Sequence, residues 1–340
     1  MTDGRTAAEE PYVLQVENLE TRFSTEHGWL RAVDNVSFNL PKGKTIGVVG
    51  ESGSGKSVLS RTIMGLLPSN ARVNDDAKVI FEGKDLRQMS EAELRHIRGP
   101  EIAMVFQDPM SSLNPVMKIG KQIAESQIVH LGLSKKDARN NAIELLREVG
   151  IPLPEKRVDE YPHQLSGGMR QRVAIAIALA CQPKLLIADE PTTALDVTVQ
   201  AEILDLLQRE QQDRHMTMIL ITHDLGVVAG RTDYVGVMYA GQIVEQADTK
   251  DLFQNMRMRY TEALLNSIPR LEDEPHKRLE TVGGRPPDLV SPPPGCRFAP
   301  RCQYADEKCT EDEPPFGVGA GLTGHSFACW HPIQPAGGTR

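Results

Sequence analysis

The sequence predicts an α/β domain on a parallel sheet, interrupted by an all-helical insertion and followed by an irregular, cysteine-rich C-terminal extension. Three patterns predict it. The apolar runs Thr45–Val49 and Leu185–Ala188 lack polar alternation, as strands covered on both faces do. Lys118–Val129 and Lys135–Val149 repeat apolar residues at helical spacing with no strand between them. Finally, Cys296, Cys302, Cys309 and Cys329 crowd a Pro/Gly-rich stretch with neither helical nor strand periodicity.

Size and charge narrow the class. The chain has 340 residues, 40% hydrophobic and 25% charged, which is ordinary for one large or two modest globular domains. A net charge of −8 disfavours general affinity for nucleic acid or anionic lipid. The longest apolar run, Val173–Cys181, falls far short of the ~20 residues of a spanning helix. Met1–Glu10 is polar and acidic, without a secretory core. A cytosolic protein is expected, with any pore supplied by other subunits.

Taken in order, Val13–Leu19 and Ala32–Leu40 read as strands, joined by a polar segment that contains Phe23 and Trp29. Either aromatic could stack on a purine base or simply pack, and local context favours Phe23. Thr45–Val49 then runs into Gly50-Glu51-Ser52-Gly53-Ser54-Gly55-Lys56-Ser57, with a helix from Val58 to Leu67. This is G-x-x-x-x-G-K-[ST] between a buried strand and a helix start. The glycines let backbone N–H groups approach an anion, and the helix dipole adds to the cradle formed through Val58. Lys56 brings a charge to the β- and γ-phosphates, and the Ser57 hydroxyl suits Mg²⁺. A nucleoside triphosphate is the expected ligand.

Val79–Phe81 reads as a strand, Ser90–Ile97 as a short helix, and Ile102–Gln107 as a strand that ends at Asp108-Pro109. Gln107 emerges where its amide could reach Mg²⁺ or water, or serve as a strand-end polar group. The helical insertion spans about residues 110–180. It includes Leu165-Ser166-Gly167-Gly168-Met169-Arg170-Gln171-Arg172, where Ser166 is a natural N-cap and the glycines expose N–H groups. Taken alone, that is a capped helix. Leu185–Ala188 ends in Asp189 and Glu190 at the carboxyl edge where α/β sheets bind ligands. Asp189 suits Mg²⁺ and Glu190 is placed to deprotonate water; two idle buried acids would be costly. Ala194-Leu195-Asp196 opens a helix at Val199–Gln211, Met218–Thr222 is a buried strand ending at His223, and Tyr234–Ala240 pairs with Gln242–Gln246 through Gly241. The catalytic domain is expected over residues 11–255 and the extension over 256–340.

Gly50–Ser57, Gln107, Leu165–Gln171, Leu185–Glu190, Asp196 and His223 together resemble, in order, the Walker A, Q-loop, signature, Walker B, D-loop and H-loop of ATP-binding subunits of ABC transporters. The resemblance implies a P-loop ABC-type nucleotide-binding domain with a helical subdomain. It also implies head-to-tail pairing, with Ser166, Gly167, Gly168 and Gln171 facing ATP held by the partner. Ser57 and Gln107 would bind Mg²⁺, Asp189 would assist, Glu190 would be the general base, His223 would contact the γ-phosphate, and Phe23 would stack on adenine. The reaction would be phosphoryl transfer to water.

Gln107–Pro115, Tyr260–Leu265, Ile268-Pro269, Gly284–Leu289 and Gly295–Cys302 further resemble the dipeptide/oligopeptide permease branch. That branch implies two transmembrane permeases, an extracytoplasmic binding protein, a second ATPase that is a paralogue in preference to a copy, and residence at the cytoplasmic face of the membrane. Nickel and other small solutes are alternative cargoes. A soluble ABC ATPase acting on nucleic acid, with the cysteines as a zinc module, is the alternative of another class, disfavoured by the acidic charge. Pro286–Arg301 is expected to dock the twin ATPase.

The four tail cysteines have no C-x₂₋₄-C knuckle of the common zinc kind. Their irregular chain suits a [4Fe–4S] cluster, although no standard spacing matches, and related peptide-permease subunits carry similar tails. Zn²⁺, with His325 as a substitute ligand, is the alternative, and unliganded thiols are the third reading. Cys181, alone in an apolar stretch, is expected in the core.

Overall fold

The computed structural model describes residues 12–108, 112–193, 195–268, 282–318 and 324–334. Met1–Glu10 and, in the permease-like motifs, Pro109–Ser111 and Pro269 lie outside these residues, as does Ala194.

Among the described residues, two sheets form the scaffold. The antiparallel sheet contains β1 (Tyr12–Thr25), β2 (Gly28–Pro41), β4 (Ala71–Val73), β5 (Lys78–Phe81) and β6 (Lys84–Asp85), in the order β2-β1-β5-β6 with β4 also on β1. Here β1 and β2 run longer than the sequence suggests, because the segment holding Phe23 and Trp29 forms a hairpin: Phe23 pairs with Leu30 and Ala71, and Trp29 with Ser24. Cross-strand hydrogen bonds make a strand of a stretch whose polarity reads as a loop.

The second sheet orders β12 (Gly317–Val318), β13 (Ser326–Phe327), β11 (Gln242–Asp248), β10 (Tyr234–Tyr239), β3 (Thr45–Val49), β9 (Thr217–Thr222), β8 (Leu185–Asp189) and β7 (Ile102–Val105). Strands β10, β3, β9, β8 and β7 are parallel. Every residue of β3, β8 and β9 is buried, as an unalternating pattern requires. Helix Lys56–Ile63 and the antiparallel sheet cover one side, where Leu14, Phe38, Ile46 and Leu59 meet.

The helical insertion covers the other side. Helices Ile119–Leu131, Lys135–Glu148 and Gly167–Leu179 pack with Val197–Asp213 over β7–β9, burying Ile123, Leu146, Leu179 and Leu207. Ser134 caps the second of these through the Asp137 N–H, and Gly150, at φ 77°, follows its end. Cys181 is buried, as its apolar neighbours imply.

The extension is fused to the catalytic sheet. Strand β13 pairs with β11, and helix Arg259–Asn266 places Tyr260 against Tyr239 of β10. Leu289 accepts the Arg31 N–H at the edge of β2, and Arg297 pairs with Asp34. Within Pro286–Arg301, Leu289 and Arg297 thus tie the extension to its own domain.

One buried ion cluster staples the tail. His325 is fully buried, with Nε2 2.8 Å from Glu245 and Nδ1 2.7 Å from Asp251. Glu245 is also fully buried and accepts the Arg257 and Met258 N–H groups. With both ring nitrogens engaged, His325 is not a spare metal ligand; the tail strand carries it to β11 rather than to the thiols. Burial lowers the affinity of His325 for a proton, but Glu245 and Asp251 outweigh it and hold its pKa above 6.5. His325→Ala should cost about 3–5 kcal/mol by leaving a buried carboxylate without its cation. A raised histidine pKa stabilises fully below pH 6.5 and loses that term as pH rises through the folded value. Urea titrations at pH 6 and pH 9 should therefore show a larger gap between parent and variant at pH 6.

Candidate active site

Strand register assembles the site. Val49 of β3 lies opposite Thr222 of β9, Ile221 opposite Asp189 of β8, and Ala188 opposite Val105 of β7. The residues that follow these strand ends are Gly50, His223, Glu190 and, one step further, Gln107. Four segments remote in sequence thus open at one carboxyl edge, where parallel sheets bind ligands.

Glu190 is the hub. Its Oε2 accepts hydrogen bonds from Gln107 Nε2 at 2.9 Å and Thr193 Oγ1 at 3.0 Å, and lies 3.5 Å from His223 Nδ1. Its Oε1 is 3.8 Å from Lys56 Nζ. Glu190 adopts φ 46°, left-handed and uncommon for a non-glycine residue. Such strain costs about 1–3 kcal/mol, and burial of each large apolar side chain in β8 contributes about 1.5–3 kcal/mol. The strand end holds the strained residue, and the strain turns its carboxylate into the cleft.

Asp189 lies deeper, with Oδ1 accepting the Ser57 hydroxyl hydrogen at 2.9 Å. Burial pushes its carboxyl above the ordinary range; the Ser57 hydrogen bond opposes this and the Glu190 charge adds to it. Burial likewise lowers the Lys56 pKa, against Glu190 and Asp189. Lys56 is 4% exposed, and its Nζ donates to the carbonyls of Gly50 at 2.8 Å and Glu51 at 3.0 Å. A dry ammonium beside a hydroxyl–carboxylate pair is a donor set that suits a polyanion with a divalent cation. Thr193 is a site residue the sequence reading missed; nothing in its Thr-Thr context marks it.

The glycine-rich turn is held by close contact. Cβ atoms at Gly50 and Gly55 would strike the carbonyl oxygens of Met238 and Ala32, and Gly55 adopts φ 107°. Ser52 and Gly53 are exposed and Ser54 is buried. Glu51 departs from the expected cradle. Its N–H donates to the Tyr260 hydroxyl at 2.9 Å and its carboxylate faces Arg301. Phe23 is half-buried in β1.

Ser166, Gly167 and Gly168 are not brought to this cleft. Ser166 caps the helix through the Met169 N–H, and Ser166 and Gly167 are exposed. Leu195 and Val199 lie where Cβ atoms at Gly167 and Gly168 would point, while Asp196 caps the Val199 N–H at 2.9 Å. Gln171 is buried, with no hydrogen-bond partner for its Nε2 among the described residues. The signature and D-loop therefore share one exposed edge.

Cys296, Cys302 and Cys329 pack partly buried against the cluster that contains Phe298, Cys309 is buried, and burial raises the pKa of Cys296, Cys309 and Cys329. The Cys296 thiol feels Cys329 and Cys309, and both Cys309 and Cys329 feel Cys302, so the four are neighbours. Among the described residues, the set of three metal-capable atoms within 4.8 Å of one another is Asp306, Cys309 and His331.

The ABC transporter family model matches residues 33–193, and that of the oligopeptide/dipeptide transporter C-terminal region matches residues 244–309. The oligopeptide transport ATP-binding protein OppD of Bacillus subtilis (strain 168) is 53% identical over 303 residues, 89% of this chain and 85% of that protein. The chain belongs to the ATP-binding subunits of ABC transporters, in the oligopeptide/dipeptide branch.

Other relatives agree. The dipeptide transport ATP-binding protein DppD of Escherichia coli (strain K12) is 49% identical, covering 96% of this chain and 98% of that protein. Among solved structures, the dimeric ATP-binding cassette MJ0796, in a post-hydrolysis state bound to ADP and Pi, matches with TM-score 0.63 and 27% identity, over 69% of this subunit and 98% of that chain. CbiO1 from Clostridium perfringens, part of the cbiONQ complex, matches with TM-score 0.60 and 31% identity, over 72% of this subunit and 91% of that chain. This ATP-binding subunit is an ATPase whose hydrolysis powers transport. Among its described residues no helix is long and apolar enough to cross a membrane.

Gly55→Ala should weaken ATP binding at least about tenfold, because backbone strain of about 1–3 kcal/mol adds to the clash with Ala32. Titration with a fluorescent ATP analogue reads the change.

Proposed function

We propose that this subunit is one of two ATPases that drive a di- or oligopeptide importer, bound peripherally at the cytoplasmic face of the membrane. The observation that carries the reading is the convergence of Lys56, Gln107, Thr193 and His223 on Glu190, while the exposed Ser166–Gly168 helix start lies apart. One protomer binds the triphosphate on Gly50–Val58, with Phe23 against adenine. The signature of the other ATPase, with its Asp196-type D-loop, closes over it. Pairing of this kind gives the second anion-binding helix start a use, and the related cassette that is dimeric with ADP and Pi supports it.

Lys56, now held on loop carbonyls, turns to the phosphates. Ser57, Asp189 and Gln107 would hold Mg²⁺, which supplies charge neutralisation when bound. Glu190 takes the proton from water as its oxygen attacks the γ-phosphorus and the bond to the β–γ bridging oxygen breaks; His223 contacts the γ-phosphate. Partners are a paralogous ATPase, two permeases and an extracytoplasmic binding protein. The relatives OppD and DppD, an oligopeptide and a dipeptide transport protein, support peptide as cargo over nickel.

Cys296, Cys302, Cys309 and Cys329 form the ligand set for a [4Fe–4S] cluster with a structural role. Tetrahedral zinc would bring thiolates to about 3.8 Å of one another. Four neighbouring thiols on an irregular chain without a C-x₂₋₄-C knuckle favour the larger cluster.

Glu190→Gln should cut steady-state hydrolysis by at least about a hundredfold while ATP still binds and the ATPase pair accumulates closed. Hydrolysis at the parent rate would remove Glu190 as the base. Iron and sulfide analysis of anaerobically purified protein should find about four of each per chain; one zinc per chain would overturn the cluster.

A further inference from the structure

The glycine-rich loop is gripped from two sides by different parts of the chain. Ala32 and Met238 wedge its inner face. Its outer residue, Glu51, is held by the extension. The Glu51 N–H donates to Tyr260, and its carboxylate receives both Arg301 terminal nitrogens, Nη1 to Oε2 at 2.6 Å and Nη2 to Oε1 at 2.9 Å. The remaining Arg301 donors are used as well: Nε to Gly283 O at 2.7 Å, Nη2 to Val282 O at 3.0 Å and Nη1 to the Tyr239 hydroxyl at 3.3 Å. The Arg301 side chain is 3% exposed. Tyr239, Tyr260 and Phe298 pack around it with ring centroids 4.4 to 5.4 Å apart.

A forked guanidinium with every donor satisfied is rigid, and a lysine cannot reproduce its geometry. Glu51 follows Gly50 in a loop built for a triphosphate, and its charge reaches Lys56. An uncancelled carboxylate there opposes an incoming anion. Arg301 belongs to the segment between Cys296 and Cys302, so the stretch that frames the thiols also carries the brace.

We propose that Arg301 is a positioning residue for ATP: paired with Glu51, it cancels the negative charge at the loop and, with Tyr260, fixes the loop for the triphosphate. The inference rests on reading Gly50–Ser57 as the ATP site, and Arg301 acts through Glu51 without touching nucleotide.

The test is the KM for MgATP of the full-length subunit in its assembled transporter. Arg301→Gln should raise KM about tenfold, more than it lowers kcat. Arg301→Lys should fall between the two. Glu51→Gln, which leaves the Arg301 charge uncancelled, should move KM the opposite way, and E51Q/R301Q should return it to within about threefold of the parent. If Arg301→Gln leaves KM unchanged, if Glu51→Gln raises it likewise, or if the double variant is as impaired as Arg301→Gln, the pair merely stabilises the fold and the proposal falls. Lys56→Ala separates the two readings, because ATP binding that survives this change would sink the ATP site itself.

Discussion

The register of four buried parallel strands is the constraint on which the rest depends. Because β3, β9, β8 and β7 are locked in register, with Val49 opposite Thr222, Ile221 opposite Asp189 and Ala188 opposite Val105, the loops that follow them present Lys56, His223, Glu190 and Gln107 to a common space. A one-residue slip in β8 would turn Asp189 and Glu190 to opposite faces. Close packing on both sides of the sheet excludes such a slip. The left-handed backbone at Glu190 is sustained by the same burial.

Around that edge the chemistry is one of withheld solvent. Lys56 and Asp189 are nearly inaccessible, and burial shifts each towards its neutral form. A bound triphosphate with its cation would supply the charge that water no longer does. Catalysis in such a site is mostly positioning and charge stabilisation, and its incomplete part is geometric. The signature helix start of this chain is exposed and capped by its own Ser166, as the proposed pairing with a second ATPase requires.

The extension packs into the catalytic domain. It adds β12 and β13 to the main sheet, fills the back of β10 with Tyr260 and Phe298, and places Arg301 on the phosphate loop. His325 shows how firmly the tail is docked, since its ring bridges Glu245 of β11 and Asp251. The thiols lie on the same surface as these anchors.

The sequence alone determined the P-loop site, the parallel core, the helical insertion and the order of the motifs. Each is written in local spacing: a glycine pattern where a Cβ cannot fit, an apolar run that ends in two acids, an amphipathic repeat. Tertiary structure decided what depends on contacts between distant residues. It made strands of the polar hairpin around Phe23, turned Glu51 from the cradle to Arg301, engaged His325 with two carboxylates, brought Thr193 to Glu190 and set Leu289 against Arg31. No periodicity encodes a pair such as Glu51 and Arg301, 250 residues apart. Their meeting follows from the way β11 and the helix after it bring the tail back across the sheet.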